Sequence, residues 1–186
     1  AAAPDLSFVH PELRDFAPTL IKMAKEFKLS PELIAAARSM GSSQYKQYRD
    51  DISVLEKRIP GPKGSPDVLV YIINAQAGTS RPAIVHTHGG GFIFGSAKSS
   101  VQDAQSWATE LDCVVVSVEY RLAPENPYSD SIDDNYAALH WVHTHAEELG
   151  IDHNKIALMG ESAGGGHAAL LALTARAEEY HKQMML

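Results

Sequence analysis

Apolar residues follow two different rhythms along this chain. Near the start they recur at helical spacing: Leu13, Phe16, Leu20, Met23 and Phe27 fall on one face of a helix predicted over residues 11–27, a face expected to pack on a core. A second helix is predicted over 31–40, with Ser30 as N-cap and Pro31 at the first helical position, where a missing N–H costs little. Further on, the apolar runs become short and nearly continuous. Residues 51–59 and 67–74 read as strands joined by the turn-rich Pro60-Gly61-Pro62-Lys63-Gly64-Ser65-Pro66; with no helix between them, they are expected to pair antiparallel. From Ala83 strand and helix alternate, with strands at 83–87, 113–118 and 155–159 and helices at about 98–111, 130–148 and 163–178. Continuous apolar strands alternating with helices predict an α/β fold, a mostly parallel sheet covered on both faces.

Composition narrows the class. A chain of 186 residues that is 45% hydrophobic can bury the core of one domain. With 23 acidic against 16 basic residues the net charge is −7, which weighs against nucleic acid or an anionic membrane surface as partner. No apolar run approaches the length of a membrane span, and Ala1-Ala2-Ala3-Pro4-Asp5 does not read as an intact signal peptide. The lone cysteine, Cys113, opens an apolar strand and is expected as a buried thiol; no intramolecular disulfide can form, and a reducing compartment, the cytoplasm, is the expected location.

The candidate chemistry lies in two glycine-rich turns. Gly160-Glu161-Ser162-Ala163-Gly164 has the pattern G-x-S-x-G, with an apolar strand before it and an Ala/Leu-rich helix after it. On such a turn a serine sits in a strained backbone with its hydroxyl exposed, and the helix start brings N–H groups and the positive end of a dipole beside it. Ser162 is therefore the candidate nucleophile, and the Ala163 N–H a donor to an oxyanion. Upstream, strand 83–87 runs into His88-Gly89-Gly90-Gly91-Phe92-Ile93-Phe94-Gly95. A phosphate loop fits poorly because no Gly-Lys-Ser/Thr follows, and the glycines do not give G-x-G-x-x-G. Three glycines after a strand can instead turn successive N–H groups into one cavity, as in the HGGG-type oxyanion loops of hydrolases.

With these residues the chain resembles the hormone-sensitive-lipase-like branch of the α/β-hydrolases, which includes many bacterial carboxylesterases. The resemblance also rests on Tyr120-Arg121-Leu122-Ala123-Pro124-Glu125 and on residues 132–142, and it is strongest over 84–172. It implies an α/β-hydrolase fold in which residues 1–45 form a helical cap and 46–186 the N-terminal part of the catalytic domain, with later strands lying beyond. It implies a serine esterase acting on small to medium acyl esters without a cofactor, with Gly90 and Gly91, or alternatively Gly89, joining Ala163 in the oxyanion hole and His88 shaping the loop. At Glu161 the family more often has Asp. The family order is serine, acid, histidine, yet only His167 and His181 follow Ser162; one lies on the same helix and the other roughly 28 Å along it at ~1.5 Å per residue. The chain is thus expected to be the N-terminal part of a longer protein whose remainder supplies the acid and the histidine. A ligand-binding protein on the same scaffold, like the plant gibberellin receptors, is the alternative, and a homodimer stays open.

The remaining polar residues have plainer expectations. His86 and His88 form H-x-H, and His140, His143 and His145 cluster near a helix end, but neither set has nearby cysteines or a third ligand on the same face, so no metal is expected. Arg121 and Glu125 are expected to pair across their loop, and Asp130, Asp133 and Asp134 to favour the start of their helix. Phe92, Ile93 and Phe94 read equally as core or as the wall of an acyl pocket.

Overall fold

A computed structural model of the protein describes residues 4–42, 48–62 and 64–184. The chain divides into two compact units, residues 1–36 and 37–186; the boundary expected after residue 45 falls among residues 43–47, outside the described ones. In the first unit, the helix expected from residue 11 is a 3-10 turn at Pro11–Leu13 followed by helix α1, Ala17–Glu26. Pro18 explains the delay: it has no N–H to give to a preceding turn, so it is tolerated only at the very start of the helix. Helix α2 spans Pro31–Ser42, with Ser30 accepting from the Leu33 N–H at 3.2 Å. Within this unit the apolar stripe of Leu13, Phe16, Leu20, Met23 and Phe27 stays exposed.

The second unit holds a five-stranded sheet. Strands β1 (Val54–Ile59), β2 (Val68–Ile73), β3 (Arg81–Thr87), β4 (Val114–Glu119) and β5 (Ile151–Gly160) lie in the order β1-β2-β4-β3-β5. β1 and β2 pair antiparallel as the short connection requires, β2 joins β4 antiparallel, and β3 is flanked by β4 and β5 in parallel. Helix α3 (Val101–Glu110) follows a 3-10 turn capped by Ser96, while the helix expected over 130–148 is two, α4 (Tyr128–Thr144) and α5 (Ala146–Leu149). Helix α6, Ala163–Met184, closes the described chain.

Alternating side chains build two cores. Val70, Ile72, Val85, Val116 and Val118 pack with Ala138, Trp141 and Val142 of α4 on one face. Tyr71, Ile73, Ile84, Val115 and Cys113 pack with Val101, Ala104 and Ala108 of α3 on the other. Burial raises the Cys113 thiol pKa, in keeping with a structural cysteine. β5 forms an edge of the sheet, and Ile156, Leu158 and Met159 are only half-buried there. Because the chain leaves β3 for β4 over one face and returns to β5 over the other, the strand order reverses at the C-terminal end of β3. That is where open α/β sheets leave a crevice for ligands. No described helix is long and apolar enough to cross a membrane.

Candidate active site

Both glycine turns lie at this end of the sheet. β5 ends at Gly160 and α6 begins at Ala163, leaving Glu161 and Ser162 to make the corner. Ser162 is exposed and has φ of 53°, a left-handed conformation costly for a residue with a Cβ. The corner is pressed against the end of β3. A Cβ on Gly164 would overlap the Thr87 carbonyl oxygen and stand 2.7 Å from that of His88, so only glycine fits. The buried Thr87 hydroxyl donates to the Gly164 carbonyl at 2.7 Å, tying strand end to helix start.

The loop after β3 lies beside this corner. The point where Gly89 would carry a Cβ is 3.6 Å from the Ser162 Cβ and 2.9 Å from the Glu161 carbonyl oxygen. The next residues turn sharply: Gly90, Gly91 and Phe92 have φ of 132°, 61° and 66°, and the Phe94 N–H donates back to the Gly90 carbonyl at 2.8 Å. Among the described residues, no acceptor meets the N–H groups of Gly90, Gly91 or Ala163. For Ala163 this follows from its place in the first turn of α6, where N–H groups have no intrahelical partner.

The two histidines of the H-x-H pair serve different neighbourhoods. His86 is fully buried, with Nδ1 2.8 Å from the Ser117 hydroxyl and Nε2 3.1 Å from both carboxylate oxygens of Glu161. Burial lowers its pKa, against the opposing pull of Glu161. His88 donates from Nδ1 to the Gly89 carbonyl at 2.8 Å and stacks on Tyr120 at 4.2 Å, while the Tyr120 hydroxyl donates to the His88 carbonyl at 2.6 Å. Burial pushes the His88 pKa down to about 4, so the ring is neutral near pH 7. His167 joins the same rings, edge-on to Phe92 and Tyr120 and stacked on Tyr128. Phe92, half-buried against Tyr128 and His167, is a packing residue of this cluster.

Two arginines, Arg121 and Arg38, hold the surrounding loops. Arg121 does not pair with Glu125. It donates to Asp130 and to the buried Asp134 of α4, at 2.7 Å each. A carboxylate buried in a helix needs a cation close by, and the neighbouring Arg121 supplies it. Glu125 pairs instead with Arg38 of α2 at 2.9 Å. Arg38 also donates to the Ile93 carbonyl at 2.8 Å and the Ala123 carbonyl at 2.7 Å, fastening the glycine loop to the Tyr120–Glu125 loop. Sequence patterns gave no sign of Arg38 or Ser117, because their partners are distant along the chain. The His181 side chain lies outside the described residues.

Comparison with known proteins agrees with this fold. A sequence model of the alpha/beta hydrolase fold family matches residues 84–186. Esterase LipI of Mycobacterium tuberculosis is 35% identical over 166 residues, covering 86% of this chain and 51% of that protein. Human hormone-sensitive lipase is 40% identical over 102 residues, 55% of this chain and 10% of the lipase. Among solved structures, a bacterial heroin esterase superposes with a TM-score of 0.74 at 37% identity, covering 91% of this chain and 54% of that one. The chain thus spans about half the length of LipI and of the heroin esterase.

Proposed function

The chain belongs to the alpha/beta hydrolase fold family, and on that premise we propose that it carries the nucleophile and oxyanion hole of a serine carboxylic-ester hydrolase. Ser162 Oγ attacks the carbonyl carbon of a small to medium acyl ester and gives its proton to a general base. The carbonyl oxygen becomes an oxyanion received by the N–H groups of Ala163, Gly90 and Gly91, with Gly89 as an alternative donor. Collapse expels the alcohol, which takes the proton held by the base; water then gives a proton to the base and attacks the acyl-Ser162 ester, releasing the acid and returning that proton to Ser162. Each oxyanion donor is worth about 3–4 kcal/mol of transition-state stabilisation. We assign the base and the acid that orients it to parts of the protein outside residues 1–186. His86 and His88 are committed to Glu161, Ser117 and the Gly89 carbonyl, and His167 is walled in by rings. His88 holds the glycine loop in shape.

The observation that supports this reading best is Ser162 at φ of 53° on a strand-to-helix corner, with its Cβ 3.6 Å from the point where Gly89 of the glycine loop would carry one. The test uses the full-length protein. It is expected to turn over short p-nitrophenyl esters and to be labelled at Ser162 by a fluorophosphonate. Ser162→Ala should abolish labelling and lower kcat by about 10⁶-fold. Undiminished turnover in that variant, or tight small-molecule binding with no turnover in the parent, would overturn it.

A further inference from the structure

Glu161 precedes the proposed nucleophile, and its contacts exceed what a surface turn residue needs. Its side chain is 51% exposed, yet its carboxylate is met by a fully buried donor, His86 Nε2, at 3.1 Å to each oxygen. Behind His86 stands Ser117, its registered neighbour on β4, with the hydroxyl 2.8 Å from Nδ1. Proton positions follow from the partners. A carboxylate only accepts, so the hydrogen is on Nε2; Nδ1 then accepts from the Ser117 hydroxyl. The result is a directed chain, Ser117 to His86 to Glu161, running from the middle of the sheet to the corner at its end. The Trp107 ring of α3, 5.2 Å from that of His86, covers it on one side.

The backbone of Glu161 is held as well. Its carbonyl accepts from the Gly164 N–H at 2.8 Å and lies 2.9 Å from the point where Gly89 would carry a Cβ. The residue is a joint between β3, the glycine loop and the start of α6. Relaxing Ser162 out of its left-handed conformation requires rotation at this joint, and that rotation would swing the Glu161 carboxylate away from a histidine that cannot follow it.

We propose that Glu161 and His86 are positioning residues: the chain from Ser117 through His86 to Glu161 holds the nucleophile corner in its left-handed form and so sets Ser162 against the glycine loop. This rests on the reading of Ser162 as nucleophile. The reach of the side chain matters, because aspartate is shorter by one methylene, about 1.5 Å, and leaves His86 Nε2 without its acceptor. Charge matters less, because the amide oxygen of glutamine can accept the same hydrogen.

The experiment is a series at residue 161 in the full-length protein, read by kcat, KM, the rate of fluorophosphonate labelling, thermal unfolding and the ¹⁵N spectrum of the His86 ring. Glu161→Ala and Glu161→Asp should lower kcat and labelling by about tenfold to a hundredfold, the scale of a misplaced reacting group, with KM unchanged. Glu161→Gln should restore most of that loss. The His86 ring should show a proton on Nε2 in the parent and in Glu161→Gln, and mixed tautomers in Glu161→Ala. His86→Ala combined with Glu161→Ala should cost little more than either alone; should His86→Ala fail to fold, the residue 161 series still decides. The proposal is overturned if Glu161→Ala keeps the parental kcat, if Glu161→Gln falls as far as Glu161→Ala, or if the His86 proton is on Nδ1. A parent with neither turnover nor labelling would refute the nucleophile reading instead, and the ring spectrum would still test the chain of hydrogen bonds.

Discussion

His86 and His88 stand two residues apart at the end of one strand, and the protein surrounds them in opposite ways. The His86 side is polar and directional: both ring nitrogens are bonded, one to a hydroxyl and one to a carboxylate that reaches solvent. The His88 side is aromatic: the ring stacks on Tyr120, Tyr120 in turn meets His167, which packs against Phe92 and Tyr128, and the His88 Nε2 has no partner among the described residues. Hydrogen bonds to charged groups fix an orientation, whereas stacked rings gain mainly from burial. The contrast assigns aim to one side of the corner and cohesion to the other. Residue type and strand register alone would have made these two histidines equivalent.

The most severe way to break the contrast is to push both sides apart at once. Gly164→Ala places a methyl against the Thr87 and His88 carbonyl oxygens, between the two neighbourhoods. Backbone cannot yield as a flexible side chain does, so the expected loss is about 3 kcal/mol or more in urea unfolding. A neutral result would mean that the strand end and the helix start are not tightly joined.

Acid separates the two sides more gently. His88 has its pKa pushed down from 6.5 to about 4, so between these values the unfolded chain binds a proton that the folded protein refuses. Stability from this group is fully present above pH 6.5 and is lost as the pH falls towards 4, by about 2 kcal/mol at pH 5. Burial acts on His167 in the same direction, and for His86 Glu161 partly opposes it. Urea midpoints compared at pH 7.5 and pH 5 measure the effect, and a flat profile contradicts a neutral buried His88. The mildest test touches the aromatic side alone. Tyr120→Phe keeps the stacked ring and removes the hydroxyl that serves the His88 carbonyl, with an expected loss of about 1 kcal/mol in the same assay. A loss several times larger would show that the side described as cohesive depends on a directional bond after all.

The corner and the glycine loop were legible in the sequence because their requirements are local. A strand, a serine between glycines and an Ala-rich helix state the turn within a few residues, and His88 to Gly95 does the same for the loop. The element order and the antiparallel first pair were legible for similar reasons. The paired loops were not. Arg121 and Glu125 are close in sequence, but the buried Asp134 claims the first and Arg38 of α2 the second. The polar chain under Glu161 was hidden for the same reason, since Ser117, His86 and Glu161 come from β4, β3 and the corner after β5 and meet only once the sheet has formed. At the N-terminus the apolar spacing was real, yet Pro18 outweighed it in deciding where α1 begins.

Ser162 shows how a working part constrains the history of a protein. Its left-handed backbone carries a penalty of about 1–2 kcal/mol that glycine at the same position would escape. Selection for durability alone would therefore favour losing the hydroxyl. A lineage that keeps serine at this corner accepts a less durable molecule in each generation for as long as the hydroxyl is used, and one freed from that use has an easy first step away.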